Sequence, residues 1–365
     1  MKGSSTSTPR CDRKGPSRPS DERIPFSPPS FNRDSGFQLE SLSLCYSFRS
    51  ALKLVLLGAT LLVLFATSGC RRSSVESTNT VHPNPGEMGK LPCDSLRLQE
   101  GCERHQAESC ARLGYCFAHG EGRAQDDHKA VELYKMACDG DVVSACGNLG
   151  FMYAVGRGAA RDEKVALSLY EKACKGGSVG DCTNVASALH LGQGTPKDSQ
   201  RARQMYSEAC KLGDGAGCTG LGIMLFEGSA GPQDDREALA NFRAGCDKGD
   251  PQGCGNLGFA LAKGRGTSPD PAAARVLYDR ACQAEKWEHC TNLGIMLANG
   301  EGGAREPGKA ATLLEAACSH DNAGACYTLG FMHGGSGRKT EAQRFFDRGC
   351  KLGDQDSCVE LAKRR

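Results

Sequence analysis

Apolar residues recur with a helical rhythm, and that rhythm itself repeats every 36 residues from Cys110 to Cys326. Three residues after Cys110, Cys146, Cys218, Cys254, Cys290 and Cys326 come Leu and Gly, as in Leu113-Gly114 and Leu257-Gly258; the unit starting at Cys182 carries Val185-Ala186 instead. Apolar positions continue, as in Phe151, Met152 and Tyr153, until a Gly-x-Gly intervenes at Gly120/Gly122, Gly156/Gly158, Gly192/Gly194, Gly264/Gly266 and Gly300/Gly302. A glycine just past an apolar-periodic run is a helix C-cap signal. A polar loop follows, with acids such as Asp126-Asp127, Asp162-Glu163 and Asp234-Asp235 where negative charge favours a helix N-terminus. The second helix carries Ala twenty residues after the starting Cys (Ala130, Ala166, Ala202, Ala238, Ala274, Ala310) and a large apolar residue four later (Tyr134, Tyr170, Tyr206, Phe242, Tyr278, Leu314). A spacing of four puts both on one face. The pattern predicts an all-α chain of about seven 36-residue helix pairs, with a shortened last unit carrying Ala342 and Phe346. One pair cannot bury its own face, so the pairs must stack as an α/α solenoid.

Cysteine changes the picture most. Of 21 cysteines, sixteen form eight couples of one spacing: Cys102 and Cys110, Cys138 and Cys146, Cys174 and Cys182, Cys210 and Cys218, Cys246 and Cys254, Cys282 and Cys290, Cys318 and Cys326, and Cys350 and Cys358. The last couple arrives four residues early. Zinc is the rival reading, but its sites show close Cys-x-x-Cys knuckles with His partners, and the chain has no such knuckle. A regular, even set reads as a disulfide framework, which requires an oxidising compartment. Two cysteines eight apart on one straight helix would stand ~12 Å apart, and a disulfide needs Cα atoms within roughly 7 Å. The chain must therefore reverse between them. Each bridge is expected to clip the end of a second helix to the start of the next first helix, with Gly140, Gly176, Gly213, Gly249 and Gly353 making the turns. A loop this short contributes ~2.5 kcal/mol per bridge in the chain-entropy model. Cys93 and Cys116 have nearly the index sum of Cys102 and Cys110, which predicts an extra staple at the start of the array.

The N-terminal part gives the chain a route out of the cytoplasm. Residues 51–70 form an apolar stretch broken by Lys53 and ending in Thr67-Ser68-Gly69-Cys70. Its length fits a signal-peptide core rather than a membrane span. The small residues before Cys70 resemble a bacterial lipobox, which implies cleavage before Cys70, lipidation of its thiol and a membrane-anchored lipoprotein; the alternative is an uncleaved signal anchor, and either places the repeats outside the cytoplasm, in the periplasm or at the cell surface. Thr67 departs from the usual Leu. Residues 1–50 are rich in Ser, Pro and Arg and read as a disordered extension or a misassigned start; Cys11 and Cys45 fall there. Residues 71–92 read as a flexible tether with Pro83, Pro85 and Pro92, and residues 93–365 as the repeat array.

With Leu-Gly, Gly-x-Gly, Ala, Tyr and the pre-Cys Ala in register, residues 93–365 resemble the Sel-like (tetratricopeptide-like) repeat family. The paired cysteines make the array similar to the Helicobacter cysteine-rich proteins. That resemblance implies an α/α solenoid with a disulfide in each repeat, secretion, and adaptor work toward a protein, a peptide or a cell-wall component such as peptidoglycan. It also implies, as an alternative, weak β-lactam binding or hydrolysis. A purely structural envelope lipoprotein is the third reading.

Composition and motifs narrow the chemistry. A net charge of +2 without a basic block argues against nucleic acid as partner. Gly303 to Lys309 imitates a phosphate loop, but Ala310 stands where Ser or Thr would hold magnesium. Ser336 to Lys339 imitates the Ser-x-x-Lys of serine β-lactamases without its partner motifs. His119, His190 and His333 lie in separate units and are expected on the surface or in the groove. No cofactor, metal site or catalytic residue is assigned. Two residues after each starting Cys runs a ladder of Arg112, Asn148, Asn184, Gly220, Asn256, Asn292 and Thr328. Tetratricopeptide-like arrays turn their first helices to the concave face, so these Asn are candidates to bond an extended peptide backbone; the plainer role is solvating the helix start. Non-reducing peptide mapping of the native protein should return the eight couples and a Cys93–Cys116 peptide; long-range pairs or free thiols would refute the framework.

Overall fold

The computed structural model describes residues 91–363. The expectations for residues 1–50, for the signal-like stretch with Cys70 and for residues 71–90 lie outside the described residues. Two compact units divide the chain, one reaching to Met205 and one starting at Tyr206.

The first unit contains α1 (Leu96–Glu103), α2 (Ala107–His119), α3 (Asp127–Asp139), α4 (Val143–Val155), α5 (Glu163–Lys175), α6 (Val179–Leu191) and the start of α7 (Ser199–Lys211). The second holds the rest of α7, then α8 (Gly215–Glu227), α9 (Asp235–Asp247), α10 (Pro251–Lys263), α11 (Pro271–Gln283), α12 (Trp287–Asn299), α13 (Pro307–Ser319), α14 (Ala323–Gly335), α15 (Lys339–Lys351) and α16 (Gln355–Ala362). Seven helix pairs, α2/α3 to α14/α15, are thus flanked by the short α1 and α16 among the described residues. Helices α2 to α15 are each 13 residues long. Such lengths are marginal for an isolated helix in water. From α1 to α6 and from α8 to α16 consecutive helices pack together, and so do neighbouring first helices such as α8 and α10. Each unit is an α/α repeat solenoid.

Local chemistry sets the helix ends. Asp126, Asp162, Asp234 and Asp270 cap second helices, accepting from backbone N–H groups of the first turn. First helices end on left-handed Gly120, Gly156, Gly192, Gly228, Gly264 and Gly300, with φ between 68° and 78°. The second glycine of Gly-x-Gly has a different task. A Cβ on Gly158 would stand 2.0 Å from the Asp127 carbonyl oxygen, and one on Gly266 2.3 Å from that of Asp235. The loop of one repeat rests there on the first residue of the preceding second helix.

The core of each pair is a large side chain on a glycine platform. Tyr134, Tyr170, Phe242, Tyr278, Leu314 and Phe346 are buried, as are the alanines four residues before them. The Leu-Gly glycine makes room: a Cβ on Gly222 would lie 2.7 Å from Phe242, and one on Gly330 2.5 Å from Phe346.

All eight couples are disulfides with Cα separations of 4.4 to 4.9 Å, each crossing the turn from a second helix to the next first helix. A ninth joins Cys93 to Cys116. The last couple closes like the others, with Cys350 and Cys358 at 4.6 Å between Cα atoms, but its surroundings differ. Cys358 lies in α16, which has 8 residues rather than 13. Cys358 is half-buried, as is Cys182, whereas Cys110, Cys146, Cys218, Cys254, Cys290 and Cys326 are buried. α16 packs back on α15 and α14, and among the described residues no following helix covers its other side.

The expectation that Gly140 and Gly176 make the reversals is also corrected. Their φ values are −86° and −76°, and the left-handed residues are the next ones, Asp141 and Gly177. Left-handed His105, Gly213, Gly249, Glu285, Asp321 and Gly353 hold the same place, three after the first Cys, in the other turns. Gly140 and Gly176 are small for packing: a Cβ there would meet Ala107 or Val143 at 2.5 Å.

Two alanine substitutions should separate conformational strain from collision. Gly177, at φ 97°, has nothing within 4 Å of its would-be Cβ, so Gly177→Ala should cost about 1–2 kcal/mol. Gly158→Ala adds a backbone clash and should cost more than about 3 kcal/mol. Denaturant unfolding with disulfides intact measures both; equal losses would contradict the stacking role of Gly158.

Candidate functional site

The amide ladder lies at the start of the first helices, and much of it faces inward. Asn148 is half-buried and hydrogen-bonded to the Tyr134 hydroxyl, 14 residues back on the preceding helix. Asn184, also half-buried, donates to Asp181 Oδ1 at 3.2 Å. Asn256 is buried, 3.5 Å from Gln252 Nε2, and Asn292 is half-buried. Gly220 breaks the ladder because a Cβ there would lie 2.4 Å from the Tyr206 ring. At the head of the ladder Arg112 pairs with Glu121 at 3.1 Å and lies over the Tyr115 ring. An Asn amide has more hydrogen-bonding capacity than one partner uses, so the half-buried members keep spare donors and acceptors.

One helical turn further along runs a column the sequence reading passed over. In the first unit it holds Tyr115 and Phe151, both half-buried, and the buried Ser187; in the second, the buried Ile223, then Phe259, Ile295 and Phe331, the last 46% exposed. The fixed offset of five after each starting Cys was the signal that could have revealed it. Together the two rows give each unit's first helices a strip of amides beside aromatic and aliphatic surface.

Beneath that strip, polar and small residues interlock between repeats at the positions flanking each second Cys. Thr291 Oγ1 donates to the Asn322 N-cap at 3.1 Å, and Gly253 makes room for Thr219, whose Oγ1 would lie 2.5 Å from a Cβ there. Gly147 makes room for Asp181, whose Oδ2 would lie 2.5 Å from a Cβ there. Burial raises the Asp181 pKa, opposed by hydrogen bonds from Ser178 and Asn184. Gly255 makes room for His289, whose ring would lie 2.1 Å from a Cβ at that glycine and stacks on Tyr278 at 5.8 Å. His289 is 2% exposed, and burial pushes its pKa down to about 4 against the opposing pull of Glu288, 3.8 Å away.

The remaining candidates find other places. His119 is exposed and stacks on Tyr115. His190 and His333 are buried, correcting their expected surface position. They sit eight and seven residues after their Cys, on the inward side of the helix, whereas His119 at nine turns outward. The Ser336 hydroxyl donates to the Met332 carbonyl at 2.9 Å, and Gly303 to Lys309 spans a loop and the first turn of α13. Among the described residues no group of three metal-ligating side chains forms, and no helix is long and apolar enough to cross a membrane.

These features define an α/α repeat scaffold with a disulfide at each repeat junction. Six segments, 107–142, 143–178, 182–214, 215–250, 251–285 and 290–322, match the Sel1 repeat, and the chain belongs to that family. Its fold is similar to a protective antigen of uropathogenic Escherichia coli displaying an SLR fold, at 21% identity and TM-score 0.54, covering 75% of this chain and 59% of that one. It is also similar to a Sel1 repeat protein from Oxalobacter formigenes, at 22% identity and TM-score 0.53, covering 62% of this chain and 97% of that one. Helicobacter pylori cysteine rich protein B aligns at 21% identity and TM-score 0.25, covering 45% of this chain and 96% of that one. At these identities the likeness concerns the fold. A comparison with curated proteins finds no match.

The buried imidazole makes a pH prediction. His289 is held neutral at about 4 in the fold and titrates near 6.5 when unfolded. Its contribution is intact above the unfolded value and falls as pH drops from about 6.5 to 4, by roughly 3 kcal/mol in all. Asp181 and Asp250, both raised by burial, act in the opposite sense. The comparison is therefore with His289→Asn, which keeps both. Denaturant unfolding at pH 7 and pH 4 should show a larger acid loss in the wild type; equal losses would refute a neutral buried His289.

Proposed function

We propose that this chain is an exported scaffold that holds an extended protein or peptide along its first-helix face. The observation that carries the reading is the strip within each unit: Tyr115 and Phe151 keep apolar surface half-covered beside Asn148 and Asn184 in the first, and Phe259, Ile295 and Phe331 do so beside Asn292 in the second. An extended segment would bond those amides through its backbone and seat alternate side chains on the apolar column. Burying such aromatic anchors supplies most of the affinity in interfaces of this kind. Nine disulfides suit an oxidising, extracytoplasmic setting. Lipidation of Cys70, with residues 71–92 as tether, would hold the array at a membrane, where envelope proteins or peptidoglycan peptides are in reach.

A crosslinking pull-down from the native envelope tests this. Partner recovery should fall about ten-fold or more when Phe151→Asp is combined with Asn148→Ala, or Phe331→Asp with Asn292→Ala. Unchanged recovery with folded variants would remove the first-helix face as the binding surface.

A further inference from the structure

Two arginines show what one recurring crevice is built to hold. Arg157 lies between the two glycines that follow α4, and its guanidinium reaches back into the preceding repeat. Nε and Nη2 donate to the two carboxylate oxygens of Asp127 at 3.1 and 2.5 Å, and Nη2 also donates to the Ala118 carbonyl at 2.8 Å. In the second unit Arg265 does the same, donating to Asp235 at 3.0 and 2.7 Å and to the Phe226 carbonyl at 3.4 Å. Each time the carboxylate belongs to the first residue of a second helix, and the carbonyl lies near the end of the first helix before it. That pair of acceptors matches the planar fork of a guanidinium, which a point-charge ammonium cannot reproduce.

In the next repeat of the first unit the same position holds Gln193. Its side chain is shorter and uncharged, so it cannot make the two-point, charge-assisted pair. The crevice remains: Glu163 is the first residue of α5, and Ala154 holds the place of Ala118 near the end of α4. The backbone keeps its geometry, since a Cβ on Gly194 would lie 2.3 Å from the Glu163 carbonyl oxygen, as one on Gly158 would lie 2.0 Å from that of Asp127. Beside Glu163 and Gly194 lies an open cavity of about 610 Å³, lined also by Arg161, Lys164, Thr195 and Pro196 among others. Glu163 pairs with Arg161, two residues away and 62% exposed. Such an exposed pair is weak and readily exchanged.

We propose that this crevice is a docking pocket for an arginine side chain presented by a partner protein. The bound guanidinium takes the place that Arg157 and Arg265 take in their own repeats, replacing Arg161 on Glu163 and adding a backbone carbonyl that Arg161 does not reach. The pocket lies among the inter-helix loops, apart from the first-helix strip. It stands whether or not that strip binds a peptide.

The test uses the mature, oxidised chain and three short blocked peptides, identical except for one arginine, lysine or citrulline. NMR amide shifts of Gly194 and Thr195 report occupancy. The arginine peptide should shift both saturably, and the lysine and citrulline peptides should bind at least ten-fold more weakly. Gln193→Arg should fill the pocket from within, raise the melting temperature and abolish the shifts. Glu163→Gln, which keeps the side-chain shape, should weaken arginine binding at least ten-fold. No saturable shift with the arginine peptide, equal binding of the lysine peptide, or full binding by folded Gln193→Arg protein would each overturn the proposal.

Discussion

The structure depends on a chain reversal held shut by sulfur. Each second helix ends at a cysteine, the chain turns through one left-handed residue, and the next helix brings its cysteine back to within 4.9 Å or less. Helices of 13 residues have little stability alone. The clip removes much of the freedom that would let them drift apart, at ~2.5 kcal/mol per bridge in the entropic account. It also spans the junction between repeats rather than the hairpin within one. Every bridge therefore fixes the order and register of stacking, which the small cores of single repeats could not do. Where stacking thins out, at Cys358 in the short α16, the same clip ties down a helix with few neighbours.

Given that register, packing becomes a matter of matched sizes. Gly114, Gly222 and Gly330 accept the rings of Tyr134, Phe242 and Phe346. At the junctions a large residue on one repeat meets a small one on its neighbour: Gly147 with Asp181, Gly255 with His289, and Thr219 with Gly253. The partner changes identity from junction to junction while one side of the pair stays glycine. Burial at these junctions raises the Asp181 pKa and lowers that of His289.

The inward sides of both helices are committed to core and junction, and the first-helix strip and the loop crevices lie outside that packing. The crevices are filled by Arg157 and Arg265 in two places and open beside Gln193. Variation of one residue within a fixed frame turns an internal tie into a candidate binding site, which is how functions differ on one fold.

Much of this was legible in the sequence, because the repeat period, the cysteine spacing and the cap residues are local and recur often enough to check one another. The helix pairs and the reversal between paired cysteines follow from spacing and bond geometry alone. Contacts between repeats were not legible, since they join residues 27 to 39 apart whose identities change from unit to unit. Hence Gly140 read as a turn residue when it is a packing residue, His190 and His333 were expected on the surface or in the groove when they are buried, and the partners of the ladder Asn, Tyr134 for Asn148 and Gln252 for Asn256, were not foreseen. Sequence alone determined the elements and their covalent clips, which are set by neighbours along the chain. Tertiary structure alone decided which side chains face one another across a junction, because that depends on helix rotation and stacking, where one residue of offset turns an exposed position into a buried one.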